Sequence, residues 1–219
     1  MKFPAGAAAL CVLLSACTGL FHSTKQPDQT YYLRAPAGAP AATPTATAAE
    51  PGAGASLRVE QPIAGPGFDS SHIMLVQADH RMNFYAASRW PASAPQLIEA
   101  LAVETLRASG AWTSVQDSTS PFPASYLLQI TLRRFDADYT GGGTAPEVHV
   151  VLECTIGRRE GREVVATFVA QGAASAAADR MGAVVAAFEQ ASGTALTSLS
   201  QQAGEAASAH AGHTEASVR

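Results

Sequence analysis

The stretch EVHVVLECTIGRREGREVVATFVAQG, residues 147–172, constrains the fold more than any other part of this chain. Val148, Val150, Leu152, Cys154 and Ile156 occupy alternate positions, and successive side chains of a strand point to opposite sides, so these five share one face. A tight RREG turn follows, and a β-branched run returns from it. Two strands joined in this way form an antiparallel hairpin with one apolar face that something must cover. The preceding run SYLLQITLRRFDADY alternates likewise, with Tyr126, Leu128, Ile130 and Leu132 on one side and Gln129, Thr131 and Arg133 on the other.

Two segments have the pattern of the cover. In SAPQLIEALAVETLRASG, Ser93 can cap a helix, Pro95 suits its first turn, Gly110 stops it, and Leu97, Ile98, Leu101 and Leu106 form an apolar stripe. From about Ser175 to Gln202, Met181, Val184, Val185, Phe188, Ala191, Ala195 and Leu199 recur at helical spacing. Alanines at 183, 186, 187 and 191 permit close helix–sheet packing and leave little room for a large cavity. Upstream, LRVEQPIA reads as a strand, and HIMLVQA (72–78) with RMNFYAA (81–87) reads as a hairpin around Asp79-His80, a turn without glycine. Trp112–Val115 suits a short edge strand. The order strand, hairpin, helix, strand, hairpin, helix predicts an α+β fold. It has a single mixed or antiparallel sheet with two amphipathic helices packed on one face.

This body spans 57–202. Residues 35–56 are almost wholly Ala, Pro, Gly and Thr and cannot offset their ordering entropy, so they form a linker or a long loop with no site in it. A short strand is expected near 30–34, and 203–219 should be a disordered tail.

The N-terminus sets the compartment. Met1-Lys2 precedes a short apolar run that ends in Leu14-Ser15-Ala16-Cys17. About 20 apolar residues are needed to span a bilayer, so the run reads as a signal peptide, residues 1–16. Its ending resembles the lipobox of bacterial lipoproteins, in which the cysteine is acylated and becomes the first residue; the alternative is an ordinary secretory signal cut near Ala16. Of the three cysteines, Cys11 falls in the signal and Cys17 would carry lipid, which leaves Cys154 with no partner for a disulfide. More than one acyl chain anchors a protein stably. Thr18, where an aspartate would favour inner-membrane retention, leans the assignment to the outer membrane.

With 14 basic against 18 acidic residues, the chain lacks the basic stripe of a nucleic-acid binder and the polybasic patch of an electrostatic membrane binder. It contains no Gly-x-Ser-x-Gly elbow, HExxH, GxxxxGK[ST] or GxGxxG. TGGGT (140–144) joins two strands and reads as a flexible loop. Asp136 and Asp138 share a strand face and could do acid–base or metal chemistry, but with no third ligand in view they read as a solvated strand end. His210 and His213 would chelate metal only incidentally, and Cys154 reads as a small core residue. An enzyme is not the favoured reading.

The segment MNFYAASRWPASAPQLIEALAVETLRASGAWTSV, residues 82–115, resembles the ABC-type transport auxiliary lipoprotein family, the group that includes PqiC-like proteins. Tyr85, Arg89, Trp90 and Pro91 match its strand ending in tyrosine, its tryptophan and its proline-containing cap. The lipobox, YYLR, LRVEQP, YLLQITLRRFDADY and AVVAAFEQASGTALTSL follow in the same order, while the Ala/Pro linker and the tail depart from the pattern. The resemblance implies a non-catalytic outer-membrane lipoprotein with no cofactor beyond the covalent lipid on Cys17. Its partners would be an MCE-domain protein with an inner-membrane ABC permease and ATPase, in transport of lipids or other hydrophobic molecules, and its members form rings. Tyr85, Arg89 and Trp90 are the candidate partner contacts. Trp90 reads equally as core cover for the helix N-terminus, Arg89 as a surface ion pair and Tyr85 as rim packing. The second functional reading is a carrier that holds a hydrophobic ligand in an apolar cavity between sheet and helices.

Overall fold

The computed structural model describes residues 27–36 and 55–217, with side chains to 211. Cys17 and residues 37–54, most of the Ala/Pro-rich segment, lie outside the described residues. The strands are β1 (Gln29–Thr30), β2 (Ser56–Val59), β3 (Ile63–Ala64), β4 (His72–Val76), β5 (Met82–Arg89), β6 (Ser114–Gln116), β7 (Tyr126–Asp138), β8 (Glu147–Arg158) and β9 (Glu163–Ser175). Helix α1 is Ala94–Ala108 and helix α2 is Met181–Ser217. All nine strands belong to one mixed sheet, and the α+β architecture with both helices on one face is the one the sequence pattern predicts.

Strand β7 is the axis. Along one edge it carries β8 in antiparallel register, with Ile130 opposite Cys154, and β8 in turn carries β9. Along its other edge β2, β3 and β4 follow one another, all parallel to it. β6 extends the sheet beyond β2, and β5 then β1 extend it beyond β4. The alternation quoted above becomes the core: Tyr126, Leu128, Ile130 and Leu132 of β7 and all five apolar residues of β8 are buried. A register slip between Leu132 and Arg134 then reverses the inward set, so Phe135 and Ala137 point to the core instead of the residues that strict alternation would choose.

Helix α1 starts where predicted, with the Gln96 side-chain carbonyl accepting the Ser93 backbone N–H at 3.3 Å and Pro95 in the first turn. The β4–β5 hairpin also forms as predicted. Lacking glycine, it places His80 at a φ of 64° and holds the turn with the Gln77 N–H on the Arg81 carbonyl.

Two expectations are corrected. The N-terminal strand is Gln29–Thr30 rather than 30–34, because the chain beyond it turns inward to bury Leu33 while the Tyr31 N–H still reaches the Arg89 carbonyl at 2.9 Å. The Ala/Pro-rich segment therefore lies between two pieces already docked on the domain, residues 27–36 and β2. The expected disordered tail is helical as far as Ser217. Ala203 and Ala207 prolong the buried stripe of Ala195 and Leu199, and alanine is the best helix former.

Helix α2 lies on β9 at very short range. A Cβ built on Gly172 would sit 2.1 Å from the Ala191 carbonyl oxygen and 3.0 Å from the Ala195 nitrogen, so only glycine fits. The alanines of α2 meet this strand backbone to backbone. The far edge of β9 carries no partner strand among the described residues.

Candidate functional site

The residues singled out for partner contact lie along β5 and just after it but make separate contacts and play different parts. Trp90 is 0% exposed, the core alternative of the two sequence readings. Its ring lies 5.7 Å from Phe135 and 5.2 Å from Phe188, and those two rings are 5.0 Å apart. This cluster joins the entry to α1 with β7 and α2, and Trp90 itself presents nothing to a partner. Its company could not be read from alternation, since Phe135 is inward only because of the slip in β7.

Arg89, with its side chain 48% exposed, reaches the Ser71 hydroxyl at 2.8 Å and lies 3.9 Å from the Asp28 carboxylate, which ties β1 to the loop before β4. Tyr85 is half-buried. Its hydroxyl meets that of Tyr139 at 2.9 Å, and Tyr139 donates to the Asp179 carboxylate at 2.6 Å. Burial, aided by the Asp179 charge, raises the Tyr85 pKa against the opposing bond from Tyr139. Tyr139 is raised further, by burial and then by its bonds to Asp179 and Tyr85. Both phenols stay protonated at neutral pH and act as hydrogen-bonding struts between the hairpin, the end of β7 and the start of α2.

The carboxylate pair is not the solvated strand end expected. The slip in β7 turns Arg134, Asp136 and Asp138 together onto the face away from the helices, where the Arg134 guanidinium grips Asp136 at 2.7 Å and Asp138 at 2.8 Å, and the Asp136 side chain is 1% exposed. Burial opposes ionisation of Asp138, but the Thr140 hydrogen bonds and Arg134 outweigh it and hold its pKa below the ordinary value. That stabilisation is present above the unfolded pKa and fades as pH falls through the lower folded one. Removing the cation strands Asp136 without its partner. Arg134→Met is expected to cost about 2 kcal/mol, reduced from the full buried-pair figure because Arg134 is partly exposed. Urea unfolding at pH 7 measures this, and adding Asp136→Asn should restore much of it; no loss on Arg134→Met would mean the pair is not structural.

Cys154 is buried on the helix-covered face, and burial, helped by Glu153, pushes its thiol up to about 12, so it remains a protonated core side chain. His210 lies 3.8 Å from Glu163; the His213 side chain falls outside the described residues. Among the described residues no group of three or more His, Cys, Asp or Glu is arranged to hold a metal ion, and no helix is long and apolar enough to cross a membrane.

Sequence reasoning missed an exposed apolar patch on the uncovered sheet face. Met74 pairs with Phe84 and Val76 with Met82 across β4 and β5, with Met82 45% and Phe84 48% exposed and His72 stacked on Phe84 at 4.4 Å. On the opposite face at the same end of the sheet a surface cavity of about 540 Å³ is lined by Leu75, Gln77, Ala78, Asp79, Arg81 and Tyr139. The alternation of these strands is too short and too apolar on both sides to say which face water would see.

The model of the family described as ABC-type transport auxiliary lipoprotein component matches residues 31–202. Protein XCC0632 from Xanthomonas campestris has a similar structure, with a TM-score of 0.68 at 23% identity over 86% of this chain and 98% of its own. A second crystal structure, of an uncharacterized protein, gives a TM-score of 0.61 at 13% identity over 81% and 99%. At such identities the likeness is one of fold. No curated protein matches the sequence.

Proposed function

Because this chain belongs to the ABC-type transport auxiliary lipoprotein family, we propose that it is a non-catalytic, lipid-anchored component of an MCE-type ABC transport system, held through acylated Cys17 at the outer membrane and facing the periplasm. In this reading the MCE-domain protein, the permease and the ATPase provide conduit and energy. The lipoprotein provides a folded surface, singly or as a homo-oligomer, that docks or assembles the periplasmic part. The family match across residues 31–202 carries the reading, since it extends from the end of β1 well into α2. The structure supports it by committing the candidate catalytic carboxylates to Arg134.

The carrier alternative asks for an apolar cavity between sheet and helices. There α2 and β9 touch backbone to backbone at Gly172, and Trp90, Phe135 and Phe188 fill the space towards α1.

Affinity purification from detergent-solubilised envelopes, with mass spectrometry of the eluate and of the N-terminal peptide, tests the proposal. The expected result is acylated Cys17 together with MCE and ABC subunits. Acylated Cys17 with bound lipid and none of those subunits would favour the carrier, and an unmodified peptide running upstream of Cys17 would remove the anchor.

A further inference from the structure

We propose that the β4–β5 hairpin end of the sheet faces the bilayer that holds the acyl chains of Cys17, and that Met82 and Phe84 rest against its headgroup layer. The inference rests on acylation of Cys17 and adds to it an orientation and a contact surface.

Nine residues, ten Cα–Cα steps, separate Cys17 from Pro27, where the described chain begins, so the lipid lies at most about 35 Å from the domain. The long Ala/Pro-rich segment adds nothing to this reach, because residues 27–36 are docked before it begins: Gln29 and Thr30 pair with Ser88 and Arg89, and Leu33 is buried.

β1 is parallel to β5, so the chain arrives from the Met82 end of that strand, which is the hairpin end. Phe84 is level with Met74, and Met74 with Asp136, which places Pro27 near the far end of β7 from Tyr126. At about 3.3 Å per residue the hairpin tip is only some 15 Å beyond Pro27, whereas the opposite end, at Phe122 and the β8–β9 turn, is more than about 30 Å away. The anchor reaches the first with slack and the second only when almost fully drawn out.

The uncovered face at the hairpin end carries the paired side chains of Met74, Val76, Met82 and Phe84, and the opposite face at the same end has the cavity lined in part by Leu75, Ala78 and the Tyr139 ring. Asp79 neutralises Arg81 at 2.6 Å, so this end offers apolar surface and a balanced charge rather than a basic patch. Such a surface can bury its apolar side chains at the boundary between headgroups and acyl chains, where binding strength grows with the apolar area buried.

The test uses the lipidated full chain in phosphatidylethanolamine–phosphatidylglycerol vesicles containing a headgroup spin-labelled lipid. Single fluorophores are placed through Ala78→Cys, Phe84→Cys or Phe122→Cys; Cys154 is buried with a raised thiol pKa and Cys17 is blocked by lipid. Because β7 holds the two ends about 40 Å apart at some 3.3 Å per residue, quenching at positions 78 and 84 should exceed that at 122 by about fivefold. Inserting a dozen Gly/Ser residues before Pro27 should erase the difference, and the same insertion between 37 and 54 should leave it intact. Equal or reversed quenching in protein that still floats with the vesicles would overturn the orientation alone. A probe at position 84 that is already shielded in detergent would assign the patch to contacts between copies and also overturn it. Protein of unacylated mass that fails to float would instead refute the anchor, and the orientation with it.

Discussion

Gly172→Val is expected to abolish the cooperative unfolding transition, and Gly172→Ala to lower stability by about 3 kcal/mol, the upper end of what forced insertion of core atoms costs. In a domain of this size that corresponds to a fall in melting temperature of roughly 6–12 °C. The cause is local. A single methyl would have to occupy a point 2.1 Å from the Ala191 carbonyl, and both atoms belong to backbones that cannot rotate aside. Helix α2 would have to lift along the length of β9 and open the buried row of Ala187, Ala191, Ala195 and Leu199. Gly141→Ala is the control, since nothing lies within 4 Å of its added Cβ, and it should melt with the parent. If Gly172→Ala also melted with the parent, the close approach of helix and strand would be wrong.

Trp90→Ala is expected to cost about 4 kcal/mol, within the range for truncating a buried aromatic side chain. The ring is fully buried and touches Phe135 and Phe188, so the void would open between the entry to α1, β7 and α2 together. Trp90→Phe should cost about half as much, because a smaller ring keeps part of the contact and the indole N–H has no hydrogen-bond acceptor among the described residues to lose. Chemical denaturation measures both. A cost below about 1 kcal/mol for Trp90→Ala would mean that the cluster does not hold the domain together. The same burial explains why a tryptophan beside a proline, suggestive of a surface anchor in sequence, gives a partner nothing to grip here.

The parts legible in the sequence were those governed by a single period. Two-residue alternation named the inward faces of β7 and β8, helical spacing named the buried stripes of α1 and α2, and together they gave one sheet with two helices on one side. What escaped depends on events between strands. The slip after Leu132 cannot be read from composition, yet it turns Phe135 inward and carries Arg134, Asp136 and Asp138 together to the uncovered face. The helical tail escaped because small residues carry almost no periodic signal until a surface is there to bury them. Arg89 and Tyr85 were singled out by resemblance, and the structure gives them hydrogen bonds towards opposite ends of β5, Arg89 to Ser71 and Tyr85 to Tyr139. The apolar patch of Met82 and Phe84 became visible only once pairing had decided which face of β5 the helices leave uncovered.

The position of β7 also has a consequence in time. Its antiparallel neighbours are close in the chain, with Arg133 and Glu153 separated by 20 residues and Thr155 and Thr167 by 12, whereas Ser56 must wait for Ser125, 69 residues later. Closing the longer loops costs more entropy before any contact rewards it. Strands β2 and β3 are therefore the last to find partners, and folding should nucleate in the C-terminal half and recruit them and the β4–β5 hairpin afterwards. Leu128→Ala and Leu152→Ala should slow refolding, while Leu57→Ala should act almost wholly by speeding unfolding. A φ-value at Leu57 equal to that at Leu152 would reverse the order.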